Sequence, residues 1–276
     1  MRVYMSVDME GCTGIVTREE VEPGAAHYAR GRRLMTGDVN AAIEGAVAGG
    51  ATEILVNDAH WNMDNLTVEE IHPSARLIRG GHKPLGMMEG VQKGLDAVFF
   101  IGYHARAGQS GVLSHTMLGR DVYRISLNGE EASEARLNAA TAGIFDIPVV
   151  LVCGDSLLCE EVDGFLRQAV KVATKRSLGR FNAECLPAEE SWRLIREGAR
   201  EALEKAGSAQ PYRLGPSYRI EVEFTGTTMA DVAAFIPGVV RTDPRTVVYE
   251  TEDYLSLVRL LRAWMLLART VRDKVY

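Results

Sequence analysis

Short apolar, β-branched runs alternate along this chain with longer stretches in which apolar residues recur every three or four positions. Arg2–Val7 predicts a strand, Leu34–Gly49 an amphipathic helix, and Glu53–Asn57 a second strand. Asp96–Gly102 (DAVFFIG) and Pro148–Cys153 (PVVLVC) are almost unbroken apolar runs, which is how a strand buried on both faces reads. Val122–Leu127 predicts another strand and Glu131–Ile144 a helix. Strand–helix–strand repetition predicts an α/β fold, a largely parallel sheet flanked by helices, over roughly residues 1 to 180.

The pattern then changes. Pro187–Lys205 predicts a long helix with proline at its start, where a missing N–H costs nothing. Ala206–Pro211 reads as a turn, Ser217–Phe224 (SYRIEVEF) alternates as a strand with one solvated face, and Tyr254–Val271 predicts a helix. The expected organisation is an α/β metal-binding catalytic domain over residues 1–185 and a smaller C-terminal α+β domain over 186–276.

Composition narrows the function classes. With 31 Lys and Arg against 37 Asp and Glu the 276-residue chain carries a net charge of −6, the wrong sign for a nucleic-acid partner. No run approaches the length of an uncharged membrane span; the nearest, Leu255 to Val271, contains Arg259, Arg262 and Arg269. The opening MRVYMSVDMEG has one Arg and an apolar run broken at Asp8, unlike a secretory leader. The four cysteines, Cys12, Cys153, Cys159 and Cys185, form no CxxC pair. They are expected to be reduced thiols in a cytoplasmic protein.

In an open α/β sheet, ligands bind beyond the carboxyl ends of the strands. Four such ends here deliver Asp8-Met9-Glu10-Gly11, Asn57-Asp58-Ala59-His60, Gly102-Tyr103-His104 and Cys153-Gly154-Asp155. Carboxylates and imidazoles gathered on one rim, with no thiol among them, suit Zn²⁺, or Mn²⁺ or Co²⁺ in its place. Asp8 and Glu10, two apart in extended chain, reach the same side. Alone they would repel and raise each other's pKa, a cost that a dication removes. Gly11 and Gly14 allow a tight turn there. Singly, Asp8 and Glu10 read more readily as helix caps or as partners of a lysine, and each histidine as a structural one. Their shared position on the rim makes a metal site the stronger reading. His115, after the glycine-rich Gly108–Gly111, reads either as a general acid or base near neutral pH or as a surface turn residue. Glu130, Glu131 and Glu134 all sit where a helix begins, and nothing in the local pattern separates them.

Ser6-Val7-Asp8-Met9-Glu10-Gly11 resembles the S-x-D-x-E-G opening of the M55 metallopeptidases, D-aminopeptidases of the DppA type. The resemblance continues through Asn57–His60, Gly102–Ala105, Leu113–Thr116, Asn128-Gly129 to Glu134, Gly154-Asp155, Thr174-Lys175 and Ala183–Pro187, in unchanged order. It implies a two-zinc enzyme. Asp8 would bridge both ions, Glu10 and His60 would complete one site, and His104 and Glu134 the other. His115 would be the catalytic histidine. Glu134 is chosen over Glu130 and Glu131 because it fits the family's N-G-x-x-x-[SG]-E spacing. The resemblance also implies a short peptide substrate with an N-terminal D-residue of the D-Ala type, and a homo-oligomer, decameric in that family. In this reading a metal-activated water of pKa about 7 attacks the peptide carbonyl, with no nucleic-acid or membrane partner. Two rivals remain: a two-metal amidohydrolase of the creatininase type, and a non-catalytic metal-binding shell protein whose ions have every position closed by protein.

Overall fold

The computed structural model describes residues 1–272. Along the chain the elements run β1 (Arg2–Val7), α1 (Arg18–Val21), α2 (Tyr28–Ala48), β2 (Glu53–Asp58), β3 (Ala75–Ile78), β4 (Ala97–Tyr103), β5 (Val122–Leu127), β6 (Glu130–Glu131), α3 (Glu134–Ile144), β7 (Val149–Asp155), α4 (Ser156–Asp163), β8 (Val170–Gly179), β9 (Asn182–Cys185), α5 (Ala188–Lys205), β10 (Tyr218–Phe224), α6 (Thr227–Ala233), β11 (Val240–Asp243), β12 (Thr246–Thr251) and α7 (Tyr254–Val271).

These strands form two sheets. The first has the order β3-β2-β1-β4-β7-β8-β9 and is parallel except for the β8–β9 pair. The second, β11-β12-β10-β5-β6, is antiparallel. The α/β expectation holds, with a correction for one strand. Val122–Leu127 is not a member of the parallel sheet: β5 pairs antiparallel to β10, Ile125 opposite Val222 and Leu127 opposite Ile220. Its alternation of buried and exposed residues is that of a half-covered antiparallel strand. Sheet membership therefore crosses residue 185, since β5 and β6 join strands from the last third of the chain while α5 packs on α2 over the first sheet.

Apolar faces explain the layers. Residues Ile195, Ala199, Ala202 and Leu203 of α5 share one core with Val39, Ile43 and Ala46 of α2 and with Val3, Met5 and Val7 of β1. On the opposite face of the sheet, Ala135, Ala139 and Ala142 of α3 meet Val98 and Phe100 of β4. Helix α3 also turns Leu137 and Ala140 toward the second core, where they join Leu257 and Leu261 of α7 and Ile220 of β10. Small residues all round (EARLNAATAGI) allow this helix to lie between the two sheets, buried along most of its length.

Helix α2 begins at Tyr28, six residues before the periodic pattern does, because YARGRR carries almost no apolar signal. Tertiary contacts hold that turn: Arg30 pairs with Glu20, and Arg32 Nε donates to the Asn65 carbonyl at 2.5 Å. Strand β8 (VKVATKRSLG) is too rich in charge to read as a strand, yet its Thr174 and Lys175 are fully buried. No helix among the described residues is long and apolar enough to cross a membrane.

Candidate metal centre

The first strand delivers its carboxylates through a loop held from below. Asp8 N–H donates to the Ile101 carbonyl and Gly11 N–H to that of Gly102, both at 2.8 Å, so the loop rides on the end of β4. A Cβ on Gly11 would stand 1.7 Å from the Tyr103 carbonyl oxygen, so no other residue fits there without moving the strand. Three consecutive carbonyls of this loop are taken up by β8. Lys175 Nζ donates to Glu10 O at 2.7 Å and Cys12 O at 2.6 Å, and Thr174 Oγ1 donates to Gly11 O at 2.7 Å. Beside them Asp38 accepts from Thr13 N–H at 2.8 Å and from the Trp192 indole at 2.9 Å.

The imidazoles are oriented in the same way, by backbone carbonyls. His60 Nε2 sits 2.8 Å from Val21 O, which leaves Nδ1 facing Asp8 Oδ1 at 3.1 Å and Glu10 Oε2 at 3.0 Å. His104 Nδ1 lies 2.9 Å from Ala105 O, and its Nε2 faces Asp8 Oδ2 at 3.4 Å and Glu134 Oε1 at 3.8 Å. His115 Nδ1 lies 2.9 Å from Leu113 O and its Nε2 is 3.9 Å from Glu10 Oε1. A carbonyl can only accept, so in each ring a proton sits on the nitrogen facing the backbone, and the other nitrogen is the one turned to the cluster. The rings of His104 and His115 stack with centroids 4.2 Å apart. Glu134, in the first turn of α3, accepts from Met117 N–H at 2.6 Å.

The result is two donor groups, Asp8–Glu10–His60 and Asp8–His104–Glu134, sharing Asp8, and a third, Glu10–His104–His115, between them. Within each, the donor atoms lie within 4.8 Å of one another. Asp8, Glu10, His60, His104 and Glu134 are all buried. Two of their polar atoms, Glu10 Oε2 and His104 Nε2, are buried without a hydrogen bond. Buried polar atoms are normally satisfied, so an orphaned oxygen and nitrogen aimed at one point ask for a ligand. The oxygen and imidazole donor set, and the backbone-oriented rings, fit Zn²⁺.

The protons tell the same story. Burial works against the charge on Asp8, but the bonds and charges of His104 and His60 hold its carboxyl well below the ordinary value. The two acids do not simply repel, because the histidines supply the counter-charge. His60 is raised well above its ordinary value against its burial, by Glu10 and Asp8; His104, likewise buried, is raised to about 10 by Glu134 and Asp8. Burial lifts Glu134 to about 7. His115 goes the other way, down to about 4, through burial and the neighbouring His104 charge.

Not every rim residue joins the cluster. Asp58 accepts from Leu66 N–H and Asn65 Nδ2, both at 2.8 Å, and shapes the loop after β2. Asp155 caps α4 through Leu158 N–H and also accepts from Val112 N–H at 2.7 Å and Ser177 Oγ at 2.8 Å. Of the three glutamates the local pattern could not separate, Glu134 alone reaches the cluster; Glu130 and Glu131 face solvent and pair with Arg136 and Arg106. Residue-level reading missed the Thr174–Lys175 clamp. The family resemblance, which includes Thr174-Lys175, singles these residues out but not what they hold.

Comparison with known proteins reports on the whole chain. The M55 peptidase family model, described as D-aminopeptidase, matches residues 1–263. A D-aminopeptidase of Bacillus subtilis (strain 168) is 37% identical over 257 residues, 93% of each chain. The solved structure of the Zn-dependent D-aminopeptidase DppA from Bacillus subtilis, a self-compartmentalizing protease, superposes with a TM-score of 0.94 at 36% identity, covering 98% of both chains.

Proposed function

The chain belongs to the M55 family of D-aminopeptidases, and from that membership and the donor cluster we propose that it is a zinc-dependent aminopeptidase that removes N-terminal D-residues of the D-Ala type from short peptides. The observation that carries the chemistry is Asp8, whose two oxygens face two separate histidines while Glu10 Oε2 and His104 Nε2, though close to charged neighbours, are buried without a hydrogen bond. Asp8, Glu10 and His60 would hold one ion and Asp8, His104 and Glu134 the other, with Mn²⁺ or Co²⁺ as substitutes. Zn²⁺ bound there supplies Lewis acidity that makes water a nucleophile near neutral pH.

The side chains then have separable tasks. His115, neutral and with its Nε2 lone pair turned to the cluster, exchanges the proton between the attacking water and the leaving amine. Lys175 and Thr174 keep the Asp8–Glu10 loop from shifting as charge develops. The proposal also takes the chain to be a cytoplasmic homo-oligomer, a decamer as the resemblance implies, with no nucleic-acid or membrane partner.

The test pairs metal content with turnover. Ions per chain are counted, and D-Ala-D-Ala and L-Ala-L-Ala are assayed with chelator and with added Zn²⁺. Two ions per chain, with D-selective release that chelation abolishes, is the expected result. Two ions without peptide cleavage would return the creatininase-type reading, and light scattering decides the oligomer.

A further inference from the structure

His115 sits in a loop whose backbone is unfavourable on both sides of it. Leu113 has φ +52° and Met117 φ +64°, both in the left-handed region. That conformation costs a residue with a Cβ roughly 1–2 kcal/mol, so the loop keeps its shape only where neighbours fix it. Leu113 is also the residue that orients the imidazole, because its carbonyl accepts from His115 Nδ1 at 2.9 Å. Where that carbonyl points, the ring follows.

The peptides before His115 are fixed from outside the loop. Leu113 N–H donates to Arg180 O at 2.7 Å, in the exposed turn between β8 and β9. Val112 N–H donates to Asp155 Oδ2, also at 2.7 Å, and Asp155 is fully buried at the end of β7. Of these two acceptors the buried carboxylate is the firmer. Strand β7 lies beside β4, with Gly154 opposite Tyr103, so Asp155 stands next to the strand end that carries His104. Its own orientation is set twice more. Oδ1 accepts from Leu158 N–H and Oδ2 from Ser177 Oγ, both at 2.8 Å. The loop passes close enough to need glycine: a Cβ on Gly111 would come 2.8 Å from Asp155 Oδ2 and 2.6 Å from Ala105 Cβ.

We propose that Asp155 is a positioning residue for His115. Through Val112 N–H it fixes the Leu113 carbonyl, and through that carbonyl it keeps the His115 proton on Nδ1 and the Nε2 lone pair toward the donor cluster. This rests on the aminopeptidase function proposed above. A neutral imidazole free in water prefers its proton on Nε2; in the protein the acceptor facing Nδ1 decides. With the proton on Nε2, the nitrogen turned to the cluster could not accept one from the attacking water.

Asp155→Ser separates this role from the helix cap. Serine caps a helix about as well as aspartate, so its single oxygen serves Leu158 N–H and leaves Val112 N–H without its acceptor. In Zn²⁺-loaded protein kcat and KM are measured with D-Ala-D-Ala. The His115 tautomer is read by solid-state ¹⁵N NMR of histidine-labelled protein, its signal assigned by its loss in His115→Ala. Asp155→Ser is expected to keep its metal and its KM, to lose roughly 10- to 100-fold in kcat, and to shift His115 toward the Nε2–H tautomer. Ser177→Ala, which leaves the Val112 bond in place, should change neither readout. An unchanged tautomer or an unchanged kcat in folded Asp155→Ser protein overturns the proposal, as does an equal kcat loss in Ser177→Ala. If Asp155→Ser does not fold, Gly111→Ala, which pushes the loop off Asp155 and spares its bonds to α4 and β8, is judged by the same two readouts. If the loaded wild type cleaves no peptide, the aminopeptidase reading has failed. The tautomer then judges Asp155 alone: a shift in the variant supports its hold on His115, and no shift overturns it.

Discussion

Asp8 presents one carboxylate oxygen to His60 and the other to His104, and all three side chains are buried. Without metal, the two imidazoles hold protons that the carboxylates stabilise, His104 up to about 10. A metal ion needs those nitrogens bare, so loading must expel protons. Zn²⁺ uptake by chelated protein is therefore expected to release protons at neutral pH and to tighten as pH rises, measurable by calorimetry in buffers of different ionisation enthalpy. The same shift sets a stability trend. A base whose folded pKa is raised contributes stability that is complete below its unfolded value of about 6.5. That contribution is lost as pH rises through about 10. Metal-free protein should accordingly lose melting temperature between these limits, and loaded protein should not. At His115 the expected effect is on rate: His115→Ala should keep its metal and lose roughly 100- to 10,000-fold in kcat. A variant with full metal and full turnover would remove that role.

The loop after β1 and the strand β8 act as one device. The carbonyls of Glu10, Gly11 and Cys12 have their side-chain partners on Thr174 and Lys175, and both donors are buried. Lys175→Met would leave the Glu10 carbonyl without that donor, at about 1–3 kcal/mol, while Cys12 O keeps the Ile15 N–H at 3.2 Å. The expected outcome is a lower melting temperature and weaker Zn²⁺ binding. Thr174→Val, which removes one donor, should do less. Unchanged metal affinity in a folded Lys175→Met protein would show that the clamp stabilises the fold without positioning the acids. Little of this is visible in the pattern of residues. A lysine in VKVATKRSLG reads as a solvated position, and only the loop folded over it makes it interior. The strands carrying His60 and His104 are legible because continuous apolar runs end in polar residues there.

Across the whole molecule, α3 couples the parts. It gives Ala135, Ala139 and Ala142 to the core of the first sheet, Leu137 and Ala140 to that of the second, and Glu134 to the donor cluster. Neither core is complete without it, so chelated protein is expected to melt in a single calorimetric transition. Two resolved transitions would show that the sheets unfold independently. Filling one of its small positions, as in Ala139→Leu, should overpack the contact with the first sheet at about 1–3 kcal/mol and shift Glu134 with it. Reduced metal content in the folded variant is the corresponding expectation.

The sequence by itself determined the α/β class and the rim, because a buried parallel strand needs an unbroken apolar run and the residue after it emerges at one edge. Its motifs also carried the family, since S-x-D-x-E-G and the later segments occur in order. It could not decide between Glu130, Glu131 and Glu134 on local grounds, place β5 in the second sheet, or show which carbonyls Lys175 holds. Those depend on contacts between residues far apart in the chain. Burial, counter-charge and orphaned polar atoms become properties of a residue only when its neighbours have arrived, and here they arrive from β8 and α3.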